Sequence, residues 1–197
     1  MASFQGKFYS SVHTVKNRWD QVTTALWKRY PNPMAKHVLW EDTISRELDD
    51  GKLKSKRLFG KTNRLPQWGK RFVSGSTTEA VVLEESIVDP DEETFVTYTR
   101  NLNMTRIMSV EEKCTYYPNP ENKEWTCCKR QVWINSNVYG FSKALQAFGL
   151  MRFKDNIKKA QKGLEYVIEK MNEGTPNAPQ VLPSVVGSSV RKTMPTV

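Results

Sequence analysis

Arg152, Asn156 and Lys159 are spaced four and three residues apart. On a helix that spacing sets a guanidinium, a neutral amide and an ammonium along one line. Such a set can hold an anion with several acceptor oxygens. Arg binds two oxygens in parallel, Lys supplies a point charge, and Asn donates without adding charge. Phe141, Leu145 and Phe148 begin the same line. Phe153, Ile157, Ala160 and Leu164 form the apolar stripe beside it, so the line extends an inward face. Lys154, Lys158, Lys162, Glu165 and Glu169 fall on the opposite, wet side. Periodicity leaves two readings open. Cations on an apolar face need a matching anion, or they lie at its edge and reach back to solvent.

A second basic group lies upstream. Trp19, Val22, Leu26 and Tyr30 step at helical spacing into Arg29-Tyr30-Pro31-Asn32-Pro33. Pro31 cannot continue the helix and disfavours helical geometry at Tyr30, which sets Arg29 at a helix C-terminus, where a cation suits the dipole. Residues 51–78 then carry Lys52, Lys54, Lys56, Arg57, Lys61, Arg64, Lys70 and Arg71 with no acid, inside a chain of net charge +9. Such a run concentrates anions, and nucleic acid and anionic lipid headgroups are both eligible. Within residues 63–75, Leu65, Trp68, Phe72 and Val73 interleave with Arg64, Lys70 and Arg71. That mixture suits a membrane interface, and its Pro and Gly suit a hinged flap. A short helix packing Trp68 and Phe72 on a sheet fits the same residues.

Catalytic signatures are missing. The chain has no Gly-x-Ser-x-Gly, His-Glu-x-x-His, P-loop or dinucleotide turn. Glu84-Glu85 and Glu111-Glu112 are adjacent, so in strands their side chains point to opposite faces. They read as solvent or partner contacts. Two histidines and the cysteines Cys114, Cys127 and Cys128 offer no zinc spacing and no disulfide framework, so the cysteines are expected as free thiols in strands. No cofactor is called for. No nucleic-acid-binding signature accompanies the basic segment.

These side chains must be positioned by a fold. Its 197 residues suffice for one domain with a real core. Phe4 to His13 reads as a strand, although the acid-free start superficially resembles a transit peptide. A helix over about 15–30 follows. A meander comes next: His37 to Leu48, with Val38, Trp40, Ile44 and Leu48 on one face, an Asp50-Gly51 hairpin, and Lys52 to Thr62. Ala80–Val88, Thr94–Leu102, Arg106–Tyr117 and Glu124–Asn135 continue it. One long helix spans about 137–172, with Gly149 as a candidate kink, and stops before Gly174 and Pro176. The expected domain is 1–172, with 173–197 a disordered tail. The class is α+β: a curved antiparallel sheet, a short helix after strand 1 and a long C-terminal helix.

Five motifs in order carry a family resemblance: Arg29-Tyr30-Pro31-Asn32-Pro33, His37-Val38-Leu39, Lys61-Thr62-Asn63-Arg64-Leu65-Pro66, Thr99-Arg100-Asn101-Leu102 and Arg152-Phe153-Lys154-Asp155-Asn156. From about residue 5 to 171 the chain resembles the PRELI-like family of mitochondrial phospholipid-transfer proteins. The resemblance implies a helix-grip lipid-binding cup like that of START and phosphatidylinositol-transfer domains. It implies headgroup positions at Arg29, Lys61, Arg64, Arg152, Asn156 and Lys159, with His37 near the same site. It also implies a lid or membrane contact at Leu65, Trp68, Lys70, Arg71 and Phe72. Related members often have Lys at the place of Arg64, which keeps the charge but changes the donor fork. Members handling phosphatidylserine tend to depart from the Arg29 and Lys61-Thr62-Asn63-Arg64 motifs, so phosphatidic acid is the expected cargo. Phosphatidylserine on the same fold, or nucleic acid on the basic face, are the alternatives. The family implies the intermembrane space, delivery toward cardiolipin synthesis, and a small twin Cys-x9-Cys partner.

Overall fold

The computed structural model describes residues 6–62 and 79–173. Strand β1 (Lys7–Val15) leads into helix α1 (Trp19–Trp27) and a 3-10 turn at Pro33–Ala35. Strands β2 (Val38–Asp49), β3 (Lys52–Thr62), β4 (Glu79–Asp89), β5 (Thr94–Asn101), β6 (Ser109–Pro118) and β7 (Thr126–Asn135) follow, then helix α2 (Ser142–Glu173). All neighbours are antiparallel in one sheet of order β1-β7-β6-β5-β4-β3-β2. β1 and β2 are its edges. The curved sheet holding a long helix is the helix-grip arrangement that the resemblance implies.

Local chemistry sets the turns. Asp50 and Gly51 sit at φ 47° and 72°, the left-handed pair that a two-residue hairpin requires. α1 is shorter than the expected 15–30. β1 runs on to Val15, Arg18 is extended, and Lys28 already leaves helical geometry at φ −101°, ψ 12°. Val22, Ala25 and Leu26 of α1 bury against Phe95, Tyr116 and Cys128, and α2 adds Leu164, Val167 and Ile168. The core therefore fills the end of the cup where both helices meet the sheet. α2 starts at Ser142 rather than 137 and runs unbroken through Gly149. A Cβ there would lie 2.5 Å from Met108 Sδ and 3.1 Å from Ile134, so the missing side chain admits close approach.

One expectation on β2 is corrected. Val38, Trp40, Ile44 and Leu48 do not share a face, because the pairing with β3 slips at Val38/Trp40 and again at Thr43/Ser45. Leu39 and Ile44 are the extra residues, and each slip changes which side later residues present. Val38 pairs with Lys61 and Leu48 with Leu53 on the inner side, while Trp40 lies opposite Gly60 on the outer side. Cys114, Cys127 and Cys128 are free thiols in strands, as expected, and all are buried.

Candidate functional site

The inner face of the sheet is built in cross-strand lines. Nearest the core, Leu53, Val88, Phe95, Tyr116, Cys128 and His13 lie side by side from β3 to β1. The next line is Ser55, Ser86, Thr97, Cys114 and Arg130. Beyond it run Arg57, Glu84, Thr99 and Glu112. Phe59, Val82 and Asn101 form an apolar-to-amide line, and Lys61 beside Ala80 ends the series. A polar belt thus crosses the floor of the cup between apolar lines.

Above this floor lies a cavity of about 290 Å³. The sheet supplies Lys61, Glu84, Thr97, Thr99, Glu112 and Arg130; the turn after α1 supplies Arg29, Asn32 and His37. Arg152, Asn156, Ile157, Lys159 and Leu164 line it from α2. Six of the residues singled out from sequence (Arg29, His37, Lys61, Arg152, Asn156 and Lys159) therefore line one space. Arg64, Leu65, Trp68, Lys70, Arg71 and Phe72 lie outside the described residues. The volume is at the small end for ligand pockets.

Arg29 is placed by its own turn. Asn32 Oδ1 accepts from Met34 N at 2.9 Å, and Asn32 Nδ2 donates to the Arg29 carbonyl. α2 closes on that turn at Gly163, where a Cβ would come within 3.1 Å of Asn32 Oδ1. The Arg29 guanidinium then turns inward and donates to Glu84 Oε2. Arg57 donates to the other carboxylate oxygen from Nε, at 3.2 Å, and from Nη2. Trp27 covers Arg57 at 4.5 Å, and Tyr30 lies 5.1 Å from Arg29. Glu84 is only 1% exposed. Burial works against its charge, and the two guanidinia more than offset it, holding the carboxyl below its usual range. Arg29 is likewise opposed by burial and held charged by Glu84.

Expecting both members of each acidic pair at solvent or partner contacts was wrong for Glu84. In that pair it is Glu85 that faces outward, 3.0 Å from Lys56 Nζ. Glu112 also points inward, accepting from Arg130 Nη1 and, at 3.2 Å, from the Cys114 thiol. Sequence reasoning missed Glu84, Arg57, Glu112 and Arg130 as parts of the site. A sign was present: Glu84 shares its parity with Val82 and Val88 along β4, on the face that buries.

The cations at the other end differ. Among the described residues, Lys61 and Lys159 have no carboxylate partner. His37 faces Lys61, Lys159 and Arg152. Burial first, and then those three charges, hold its imidazole down at about 4. His13, at the core line, is held at about 4 by burial and by Arg130. Both rings are therefore neutral near pH 7. An anion among Lys61, His37, Arg152 and Lys159 would relieve their mutual repulsion and satisfy the Asn156 amide. Lys154, Lys158 and Lys162 are exposed, as the periodicity predicts, although Lys154 also lies 4.7 Å from the Tyr9 ring of β1, and Lys159 is exposed as well.

Comparison with known proteins bears on this arrangement. The PRELI-like family model matches residues 20–174. The chain is 49% identical over 174 residues to "PRELI domain-containing protein 1, mitochondrial" of Gallus gallus, covering 87% of this chain and 81% of that protein. It is 37% identical over 166 residues to "Protein UPS1, mitochondrial" of Saccharomyces cerevisiae, covering 84% and 94%. In fold alone it is similar to TTHA0849 from Thermus thermophilus, with a TM-score of 0.57 at 12% identity, covering 84% of this chain and 99% of that one. The Zhui aromatase/cyclase from Streptomyces sp. R1128 gives a TM-score of 0.57 at 11% identity, covering 85% and 96%.

Proposed function

Because this chain belongs to the PRELI-like family, we propose that its cavity is the headgroup site of a non-enzymatic mitochondrial phospholipid carrier. The cargo is phosphatidic acid, moved between the outer and inner membranes through the intermembrane space toward cardiolipin synthesis. The observation carrying this reading is the concentration of Lys61, Arg152, Lys159 and Asn156 around His37 at one end of a cavity. A phosphomonoester offers several acceptor oxygens and a charge of roughly −1 to −2, which suits that set. Arg29 adds donors not committed to Glu84, and Arg64 follows Lys61 closely enough in sequence to join them. Phosphatidylserine would add an ammonium to a cluster already rich in cations, which is why the monoester is preferred.

A lid formed by Leu65, Trp68, Lys70, Arg71 and Phe72 meeting anionic membrane surfaces belongs to the same proposal. So does a small twin Cys-x9-Cys partner. Transfer of fluorescent phosphatidic acid between liposomes tests the headgroup site. Lys61→Glu and Lys159→Glu should each abolish transfer by folded protein. Lys154→Glu and Lys158→Glu, on the wet face, should keep it, with at most a salt-sensitive loss of docking. Equal loss in both groups would assign the effect to bulk charge and overturn the proposal.

A further inference from the structure

The polar belt on the cavity floor contains two hydroxyls that the protein itself does not use. Thr97 is 5% exposed and Thr99 lies beside it on β5, and both line the cavity. Among the described residues neither side chain makes a hydrogen bond, and Thr99 is half-buried. Their neighbours do. Ser86, opposite Thr97, is bonded to Ser55 at 3.0 Å, and Cys114 on the other side donates to Glu112. Thr99 stands between Glu84, whose two oxygens are both taken by guanidinium donors, and Glu112, which is paired with Arg130. Hydroxyls that line a cavity and make no bond within the protein take their partner from water or from a ligand.

The flanking charges say what kind of ligand atom fits. A phosphate oxygen beside Thr99 would give up hydration next to Glu84 and Glu112, whose guanidinium partners are already engaged, without gaining a free lysine. A neutral acceptor meets no such penalty and takes the hydroxyl proton. The phosphate itself is favoured at the Lys61, Arg152 and Lys159 end. We propose that Thr97 and Thr99 form a second subsite that hydrogen-bonds the ester carbonyl oxygens of a diacyl glycerophospholipid. This rests on the phospholipid reading of the same cavity and adds recognition of the ester linkage. The carrier then distinguishes diacyl from dialkyl lipids bearing an identical headgroup.

The test compares ester-linked and ether-linked phosphatidic acid of equal chain length, in liposome transfer and competition by the full-length protein. Wild type should favour the ester lipid roughly three- to tenfold, the worth of one or two neutral hydrogen bonds. Thr97→Val and Thr99→Val keep shape and strand propensity but remove the hydroxyl. They should erase the preference by lowering transfer of the ester lipid more than that of the ether lipid. Thr97→Ser should retain it, which separates hydrogen bonding from packing. Equal handling of the two lipids by wild type, or a preference that survives in both Val variants, overturns this inference alone. Uptake of neither lipid by wild type overturns the phosphatidic acid reading together with it.

Discussion

Glu84 joins three parts of the chain: β4 carries it, Arg57 of β3 saturates one oxygen, and Arg29 from beyond α1 takes the other. Taking these charges out of water costs several kcal/mol per ion, which mutual attraction must offset. Deleting the carboxylate alone strands two guanidinia. Glu84→Leu should therefore lower stability by about 3–5 kcal/mol, read from urea midpoints. Replacing the cluster together (Arg29→Met, Arg57→Met, Glu84→Leu) should restore most of that loss. Arg29 is consequently a poor probe of ligand binding, since reversing its charge would set it against Glu84. The histidines predict a pH dependence. With folded values near 4 against 6.5 in the unfolded chain, His13 and His37 bind fewer protons folded than unfolded between those limits. Stability should fall as pH drops below about 6.5, and this contribution should be fully lost near pH 4. The double variant His13→Gln/His37→Gln should flatten that window of the midpoint-versus-pH curve; an unchanged slope would assign the titration elsewhere.

At the scale of elements, the turn after α1 and the middle of α2 are fitted to each other. Asn32 is fixed by bonds to Met34 N and the Arg29 carbonyl, so it has little freedom to yield to a side chain at Gly163. Gly163→Leu should cost about 1–3 kcal/mol by overpacking, although leucine is the better helix former. It should also weaken phosphatidic acid binding by shifting Arg152, Asn156 and Lys159 away from Lys61. Thermal unfolding and lipid binding on the same sample check both. Periodicity set Arg152, Asn156 and Lys159 on one line of α2, because helical spacing is a local property, but left open whether that line meets an anion or solvent; all three border the cavity, and Lys159 is also exposed. Asp50-Gly51 fixed its hairpin for the same reason. The bulges in β2 escaped notice since nothing in Leu39 or Ile44 marks an extra residue. The Arg57–Glu84–Arg29 and Glu112–Arg130 pairings escaped because they join residues far apart in sequence. Only strand register brings them together, and register is a tertiary fact. The resemblance, rather than spacing, related Arg29 and Lys61 to the α2 line.

The whole molecule is a basic cup with two apolar edges. Phe8 and Val12 on β1, and Leu39, Ile44 and Leu48 on β2, are each more than half exposed. Open sheet edges with apolar side chains invite association. The isolated chain should therefore aggregate, and co-expression with a twin Cys-x9-Cys protein should keep it soluble; a stable monomer that transfers lipid unaided would contradict the partner proposal. The net charge of +9 brings the cup to anionic membranes, while the cavity selects what leaves them. Mass spectrometry of the lipid co-purified with the protein and its partner tests that selection most directly. The account predicts phosphatidic acid, enriched far above its share of the host membrane and lost on Lys159→Glu while the protein stays folded. Phosphatidylserine as the main species, or lipids in proportion to the bulk membrane, would contradict it.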